Sequence, residues 1–326
     1  MTRARIVGTG KCLPERVITN QEMEVLADTT DEWIRQRTGI HQRHVADDGV
    51  GTSDLMAEAA KTAMAEAGIG PDQVDAIISC TLSGDYMFPA TGSMVQAVLG
   101  ADNAAAHDIN AACSGFLYGL ATANAWIQTG MYKNVLVCGG ERVGNQVVWK
   151  NRDTGVLFGD GAGAVVLQAC DDPAYGVLSM FLGSDGKSGD MLKRPKGGSK
   201  DPARDEPHDQ RFFIQMDGRE LFKRAVIKMP EVSQQALDAA GITIKDVALF
   251  VPHQANARII ESAAQRMGLE KEKLFVNIDK RANTVAGTIP IALHEAREEG
   301  RIKEGDYVLL ASFGAGTSWG ASVVRW

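Results

Sequence analysis

Three side chains in this 326-residue sequence are of types, and in places, suited to nucleophilic catalysis: Cys113, His253 and Asn283. The run Asp108-Ile109-Asn110-Ala111-Ala112-Cys113-Ser114-Gly115-Phe116 passes from strand-like residues through small ones into a helical pattern. Phe116, Leu117, Leu120, Ala123 and Ile127 share one apolar face of that helix. Cys113 is therefore expected at a helix start, where unpaired N–H groups and the dipole favour negative charge, lower a thiol pKa and offer donors to an oxyanion. A small buried core thiol fits the same context. His253 follows the apolar Phe250-Val251-Pro252, at the carboxyl edge where α/β folds collect their sites, and it alone of six histidines is so placed. A hydrogen-bonded structural histidine fits that position as well. Asn283 is expected to open a helix after a strand over Leu274-Phe275-Val276-Asn277, and read alone it is an N-cap.

An internal repeat supplies the elements that position all three. Around Ala67-Gly68-Ile69 the chain reads helix, turn and strand, ending in Asp75 to Cys80. The pattern returns around Ala240-Gly241-Ile242, ending in Ala248 to His253, at an offset of 173. The same offset lays Val135-Leu136-Val137-Cys138 over Val308-Leu309-Leu310-Ala311, Cys80 over His253, and Cys113 near Asn283. Further on, Gly161-Ala162-Gly163-Ala164-Val165-Val166 resembles Trp319-Gly320-Ala321-Ser322-Val323-Val324 at an offset of 158, so the first copy carries extra residues between Gly140 and Phe158. Alternating helices and short β-branched strands indicate buried sheets covered by helices. The expected fold is a duplicated five-layered α/β/α/β/α unit, residues 1–172 forming one half and 173–326 the other, with a shared central helical layer. Pseudo-twofold packing of the halves would converge Cys113, His253 and Asn283. The glycine- and proline-rich stretch 183–210 reads as a surface loop or lid, with Lys193, Arg194, Lys196 and Lys200 as solvated charges.

Composition narrows the classes. With 44% apolar and 23% charged residues the chain is globular. A net charge of −7 argues against general attraction to nucleic acid or anionic lipid. No apolar run reaches the ~18 residues of a membrane span, and no signal-peptide core follows the charged start, so a cytoplasmic protein is expected. Five cysteines, odd in number and never spaced Cys-x-x-Cys, argue against a disulfide frame or a zinc site. Cys12, Cys80, Cys138 and Cys170 read as core thiols.

Taken together, the motifs resemble the β-ketoacyl-acyl carrier protein synthase III enzymes of the thiolase superfamily. The resemblance rests on Asp31-Glu32-Trp33-Ile34, Arg37-Thr38-Gly39-Ile40, Asn110 to Phe116, Phe158-Gly159-Asp160-Gly161-Ala162-Gly163-Ala164, Val251-Pro252-His253-Gln254-Ala255-Asn256 and Phe313-Gly314-Ala315-Gly316. It implies a thiolase-like fold, a homodimer, a Cys113-His253-Asn283 triad and no metal or redox cofactor. It further implies that the Cys113 thiolate takes an acyl group, most often acetyl, from acyl-CoA. Malonyl-acyl carrier protein then loses CO₂, and the enolate receives hydrogen bonds from the imidazole of His253 and the amide of Asn283. The backbone N–H groups of Cys113 and Ala315 would hold the tetrahedral oxyanion. By the same matching, Trp33, Arg37 and Arg152 grip the CoA nucleotide, and Thr38, Phe222 and Asn256 line the pantetheine channel. Phe88 closes the acyl pocket across the dimer, and Lys223, Arg258 and Arg266 dock the acidic carrier protein.

Two departures bear on the chemistry. Most members have glycine before the asparagine; here Ala282 stands at a backbone position usually free to take φ > 0. The stretch Ser83 to Met87 and the 183–210 loop also differ, which leaves the primer open, and with it primary fatty acid synthesis against a secondary-metabolic condensing enzyme or acyltransferase. Two other classes fit less well. A thiolase needs a second cysteine that Phe313-Gly314-Ala315-Gly316 lacks. In a nucleotide-binding scaffold, Gly159-Asp160-Gly161-Ala162-Gly163 would open a helix, yet it runs into the strand-like Ala164 to Leu167, so close strand packing is the expected use of these glycines.

Overall fold

In the computed structural model, residues 2–203 and 209–326 are described. Residues 204–208 of the expected loop lie outside them. The chain begins with β1 (Arg3–Cys12), β2 (Val17–Thr19), α1 (Asn20–Leu26), α2 (Asp31–Thr38), β3 (Gln42–His44) and α3 (Thr52–Ala67). It continues with β4 (Ala76–Cys80), α4 (Thr91–Leu99), β5 (Ala105–Ile109), α5 (Gly115–Gln128), β6 (Asn134–Glu141) and β7 (Gly161–Cys170). Next come β8 (Gly176–Ser184), β9 (Leu192–Lys193), β10 (Gln215–Met216), α6 (Gly218–Ala240), β11 (Val247–Pro252) and α7 (Ala257–Arg266). The chain closes with α8 (Ile278–Arg281), α9 (Thr288–Glu298), β12 (Tyr307–Gly314) and β13 (Ser318–Arg325).

Beside the two-stranded pairings β2-β3 and β9-β10, two main sheets form, in the orders β1-β7-β6-β4-β5 and β8-β13-β12-β11. Their directions match strand for strand: two antiparallel pairings, then a parallel one. The helices α5 and α9 lie between the sheets and touch both. They are apolar on more than one side, as a central layer requires, and Phe116, Leu120, Ile289 and Leu293 join one core with Val137 and Val165 from the first sheet and Leu249 and Leu310 from the second. The outer faces are covered by α3, packing Leu55, Met56 and Ala60 near Ile77 and Leu136, and by α6, packing Leu221, Ala225 and Met229 near Phe250 and Leu309. Five layers result, in the α/β/α/β/α order expected.

The expected strand over Leu274–Asn277 does not form. A single parallel bridge joins Leu274 to Phe250, and then the Gln254 carboxamide takes the places of a neighbouring strand: Nε2 donates to Phe275 O (3.2 Å) and Oε1 accepts from Asn277 N (3.1 Å). The 183–210 stretch is also more ordered than a solvated loop. It carries β9, which pairs with β10, and Lys196 is buried at 3% exposure, its ammonium 3.0 Å from Asp209 and facing the Phe212 ring. Of the four thiols read as core, Cys80 and Cys138 are buried, whereas Cys12 and Cys170 are partly exposed at the ends of β1 and β7; all five cysteines are free. The glycines of Gly159 to Gly163 serve close packing: a Cβ on Gly163 would come within 2.5 Å of the Ile291 nitrogen, so β7 meets α9 with no side chain between. Among the described residues no helix is long and apolar enough to cross a membrane.

Candidate active site

Cys113 lies in a 3-10 turn, Ala112–Ser114, that runs directly into α5. The turn is set by Ala112 at φ 46°, a left-handed conformation that costs a non-glycine residue about 1–3 kcal/mol and has to be held by its surroundings. Hydroxyls from the second sheet hold it. Ser312 Oγ donates to Cys113 O (2.9 Å), Ser318 Oγ to Ala111 O (2.9 Å), and Ser114 Oγ donates back to Ser318 O (3.1 Å). The nucleophile turn is thus built by the first half and fastened by the second. The N–H groups of Ala315 and of Cys113 itself favour the charged form of the sulfur, and they are the pair expected for an oxyanion hole. Gly314 makes that approach possible, because a Cβ there would overlap the Cys113 Cβ and stand 2.9 Å from its Sγ.

The expected lowering of the Cys113 pKa is not what the structure gives. Burial pushes the thiol up to about 12, outweighing the two N–H donors. The resting nucleophile is a thiol, and its proton has to leave as the sulfur reacts.

His253 follows β11 and is 1% exposed. Its Nδ1 is 2.6 Å from Thr288 Oγ1, and that hydroxyl donates to Val285 O at 3.1 Å. With its one proton committed to a carbonyl, the hydroxyl is an acceptor toward the ring, so Nδ1 carries the imidazole proton and Nε2 presents a lone pair. Nε2 has no protein partner, and burial pushes the imidazole down to about 3, which keeps it neutral.

Asn283 is held by backbone bonds to the Gly140–Phe158 insertion and its continuation. Its N donates to Leu157 O (3.0 Å), and Gly159 N donates to its carbonyl (3.1 Å). Its Oδ1 accepts from Val285 N at 2.9 Å, two residues on, ahead of a 3-10 turn, Val285–Gly287, that leads into α9. The expected N-cap is displaced: Thr284 holds the cap position of that turn, and Gly287 that of α9. With the oxygen pinned, the Nδ2 donors are the free end of the carboxamide. Ala282, just before it, takes φ 55° and ψ −162°, so alanine here occupies the strained conformation that glycine would hold freely.

Three adjoining cavities connect these residues. The central one is lined by Cys113, His253 and Asn283 together with Phe222, Asn256 and Phe313. An outer cleft, lined by Trp33, Arg37, Thr38 and Arg152, shares Leu157, Met216, Gly218 and Asn256 with it. An inner chamber, lined by Leu82, Gln146, Ile214, Val285 and Ala315, shares Cys113, Phe158 and Leu192 with it. The sulfur therefore stands between a passage to the surface and a pocket beyond.

In the outer cleft the Arg152 guanidinium lies over the Trp33 ring, 5.2 Å from its centre. Thr38 and Asn256 form wall rather than ligand groups: the Thr38 hydroxyl donates to Ile34 O and accepts from Ile40 N, and Asn256 donates to Arg37 O while accepting from Arg258 N. Phe222 is covered by Arg258, whose guanidinium is 5.4 Å from the ring centre. Lys223 pairs with Glu220, and Arg258 and Arg266 stand in the first and last turns of α7. Phe88 borders none of the three cavities of its own chain and is 85% exposed, beside Tyr86 and Met87 at 63% and 84%. Among the described residues no group of three His, Cys, Asp or Glu side chains is placed to hold a metal ion. Thr288, Ser312, Ser318 and Gln146 were not singled out from sequence. Thr288 lies five residues after Asn283, but hydroxyl residues are too common for type alone to mark them.

The sequence profile described as 3-Oxoacyl-(acyl-carrier-protein) synthase III matches residues 107–186, and that of the C-terminal part of the same family matches residues 237–326. A protein of Caldanaerobacter subterraneus named beta-ketoacyl-(acyl-carrier-protein) synthase III is 48% identical over 324 residues, 99% of this chain and 98% of that one. Among solved structures, the 3-oxoacyl-(acyl-carrier-protein) synthase III of Aquifex aeolicus superposes with a TM-score of 0.92 at 44% identity, covering 99% of this chain and 100% of the other. The priming β-ketosynthase of a polyketide biosynthetic pathway superposes with a TM-score of 0.91 at 32% identity, covering 99% and 96%. The cavity that gathers cysteine, histidine and asparagine from both halves thus sits in a fold shared along the full chain, and the chain belongs to the β-ketoacyl-acyl carrier protein synthase III family.

Proposed function

We propose that the protein condenses a short acyl-CoA with malonyl-acyl carrier protein by decarboxylative Claisen chemistry, releasing a 3-ketoacyl product and initiating fatty acid synthesis. The observation that carries this reading is the route from the Trp33 and Arg152 cleft past Cys113, His253 and Asn283 into a further, largely apolar chamber. Stacking and guanidinium contacts at the mouth suit a nucleotide end. A narrow middle suits pantetheine, and the chamber suits the acyl group.

In the first half-reaction Cys113 Sγ bonds the thioester carbon, the carbon–sulfur bond to CoA breaks, and CoA leaves as a thiol. The Nε2 lone pair of His253 takes the thiol proton as the new bond forms and returns it to the departing sulfur. In the second, malonyl-acyl carrier protein follows the same route and loses CO₂. The enolate oxygen receives the Nδ2–H of Asn283. For His253 to donate there as well, the Thr288 hydroxyl must turn toward Nδ1 so that Nε2 carries the proton. The enolate carbon bonds the acyl carbon, and the oxyanion rests on the N–H groups of Cys113 and Ala315, each donor being worth on the order of 3 kcal/mol. Collapse expels the Cys113 thiolate, which takes a proton from water.

Residues 1–172 and 173–326 act in this reading as two copies of one unit. The exposed Tyr86-Met87-Phe88 tip fits a homodimer in which it reaches a second copy, and Lys223, Arg258 and Arg266 fit an acidic carrier protein in the cytoplasm. The reaction draws on the chain's own side chains, with acyl-CoA and carrier protein as substrates. The likeness to a priming ketosynthase of a polyketide pathway supports a second reading, the same condensation with another primer. Incubation with a panel of acyl-CoAs, followed by malonyl-acyl carrier protein, tests both. Acylation at Cys113 and release of a 3-ketoacyl product are expected; an enzyme that no acyl-CoA labels would refute the proposal.

A further inference from the structure

The chamber beyond Cys113 has an apolar floor of Leu82, Phe158, Leu192, Ile214 and Val285. Four polar side chains interrupt it, Asn110, Gln146, Lys193 and Arg194, of which Asn110 Oδ1 already accepts from Ala112 N at 3.3 Å. Gln146 is 8% exposed and lines the chamber, yet its carboxamide makes no hydrogen bond in the protein and is not sealed in the packed interior. Only its backbone is used, its carbonyl accepting from Ile214 N at 2.9 Å. A buried carboxamide left without partners costs about 1–3 kcal/mol, so it is expected to meet a polar group in the cavity it faces. At the rim, Lys193 is neutralised by Asp190 at 2.7 Å, but Arg194, which lines the same chamber, has no hydrogen-bond or ion-pair partner among the described residues. Its guanidinium lies against Gly197, where a Cβ would stand 3.3 Å from Nη2.

An acetyl or simple alkyl chain would leave both groups unsatisfied. A guanidinium offers only donors, in a fork that matches a carboxylate, and the carboxamide adds N–H donors from the buried side. We infer that the acyl chamber selects a primer whose short chain ends in a carboxylate, the monothioester of a small dicarboxylic acid, with Arg194 and Gln146 reading that end. The inference rests on the proposed acylation of Cys113. Transfer is the same as for any primer: Sγ bonds the thioester carbon, the bond to CoA sulfur breaks, the proton leaves with CoA, and the distal carboxylate stays ionised against Arg194. Sites built to hydrogen-bond a polar substrate group discriminate strongly against analogues lacking it, because their own polar groups are then stranded.

The test is acylation of the full-length protein by succinyl-CoA and by butyryl-CoA, in competition, read at Cys113 by mass spectrometry. The expected result is a preference for succinyl transfer, with Arg194→Ala and Gln146→Leu each lowering the succinyl-to-butyryl ratio tenfold or more. Each variant carries its own comparator, so a general loss of folding does not imitate the ratio change. Labelling by butyryl-CoA without labelling by succinyl-CoA, or an unchanged ratio in both variants, would overturn the inference while leaving the acylation chemistry in place. Failure of both CoA esters and of acetyl-CoA to label Cys113 would instead remove the proposed function on which it depends.

Discussion

His253 Nδ1 and Thr288 Oγ1 lie 2.6 Å apart in the protein interior, and the Thr288 hydroxyl donates onward to Val285 O. This short chain decides which ring nitrogen faces the substrate with a lone pair. Thr288→Val keeps the shape and removes the relay, so both tautomers become accessible and Nδ1 is left unpartnered. Single-turnover acylation of Cys113 should slow by about 10²-fold, the scale of one lost proton-transfer arrangement, and Thr288→Ser should restore most of it. Equal rates in the valine and serine variants would show that the hydroxyl only fills space.

Cys113 and His253 titrate far apart, the thiol pushed up to about 12 and the imidazole down to about 3 by burial. No thiolate–imidazolium pair rests in the free enzyme. Because a raised thiol pKa keeps the thiolate scarce at every pH below it, alkylation of Cys113 by iodoacetamide should climb about tenfold per pH unit from pH 6 to 9 without levelling off. A plateau reached near pH 7 would mean that the helix start, and not burial, governs the sulfur.

Ala282 at φ 55° pays a conformational penalty directly before Asn283. Ala282→Gly relieves about 1–3 kcal/mol of strain, but gives back roughly 0.5–1 kcal/mol in chain entropy and about 0.8 kcal/mol for the lost buried methyl group. Its unfolding free energy should therefore stay within about 2 kcal/mol of the parent. Ala282→Val, which adds a β-branch where φ is positive, should lose at least about 2 kcal/mol in denaturant titration.

Gly314 leaves room for the nucleophile, and a methyl group there would stand 3.1 Å from the Cys113 nitrogen and 2.9 Å from its sulfur. Gly314→Ala should displace the sulfur from the Ala315 N–H and lower acylation by about 10²-fold or more, while circular dichroism stays that of the parent. Normal acylation in that variant would show that the backbone donors are not aligned as described.

The Arg152 guanidinium and the Trp33 ring form one surface in the outer cleft. Replacing either by alanine should raise KM for acyl-CoA about tenfold, an expected loss near 1.4 kcal/mol, with kcat changed little, because this contact is the same in ground and transition states.

Much of this was legible in the chain itself. The repeat between Asp75–Cys80 and Ala248–His253 foretold two sheets of matching order, because strands buried on both faces need continuous apolar runs that survive duplication. The helical face from Phe116 to Ile127 and the convergence of Cys113, His253 and Asn283 followed from the same pattern. Local pattern misled at Leu274–Asn277, where a distant glutamine supplies the bonds of a strand, and at Lys196, where Asp209 and Phe212 make burial tolerable. What only the tertiary structure decided are the quantities that depend on surroundings: the protonation of Cys113, the tautomer of His253, the free end of Asn283 and the polar pair in the acyl chamber. Residue type sets which chemistry a side chain is able to perform. Burial and the neighbours brought from the other half of the chain set which form of it is present, and no spacing along the sequence encodes those.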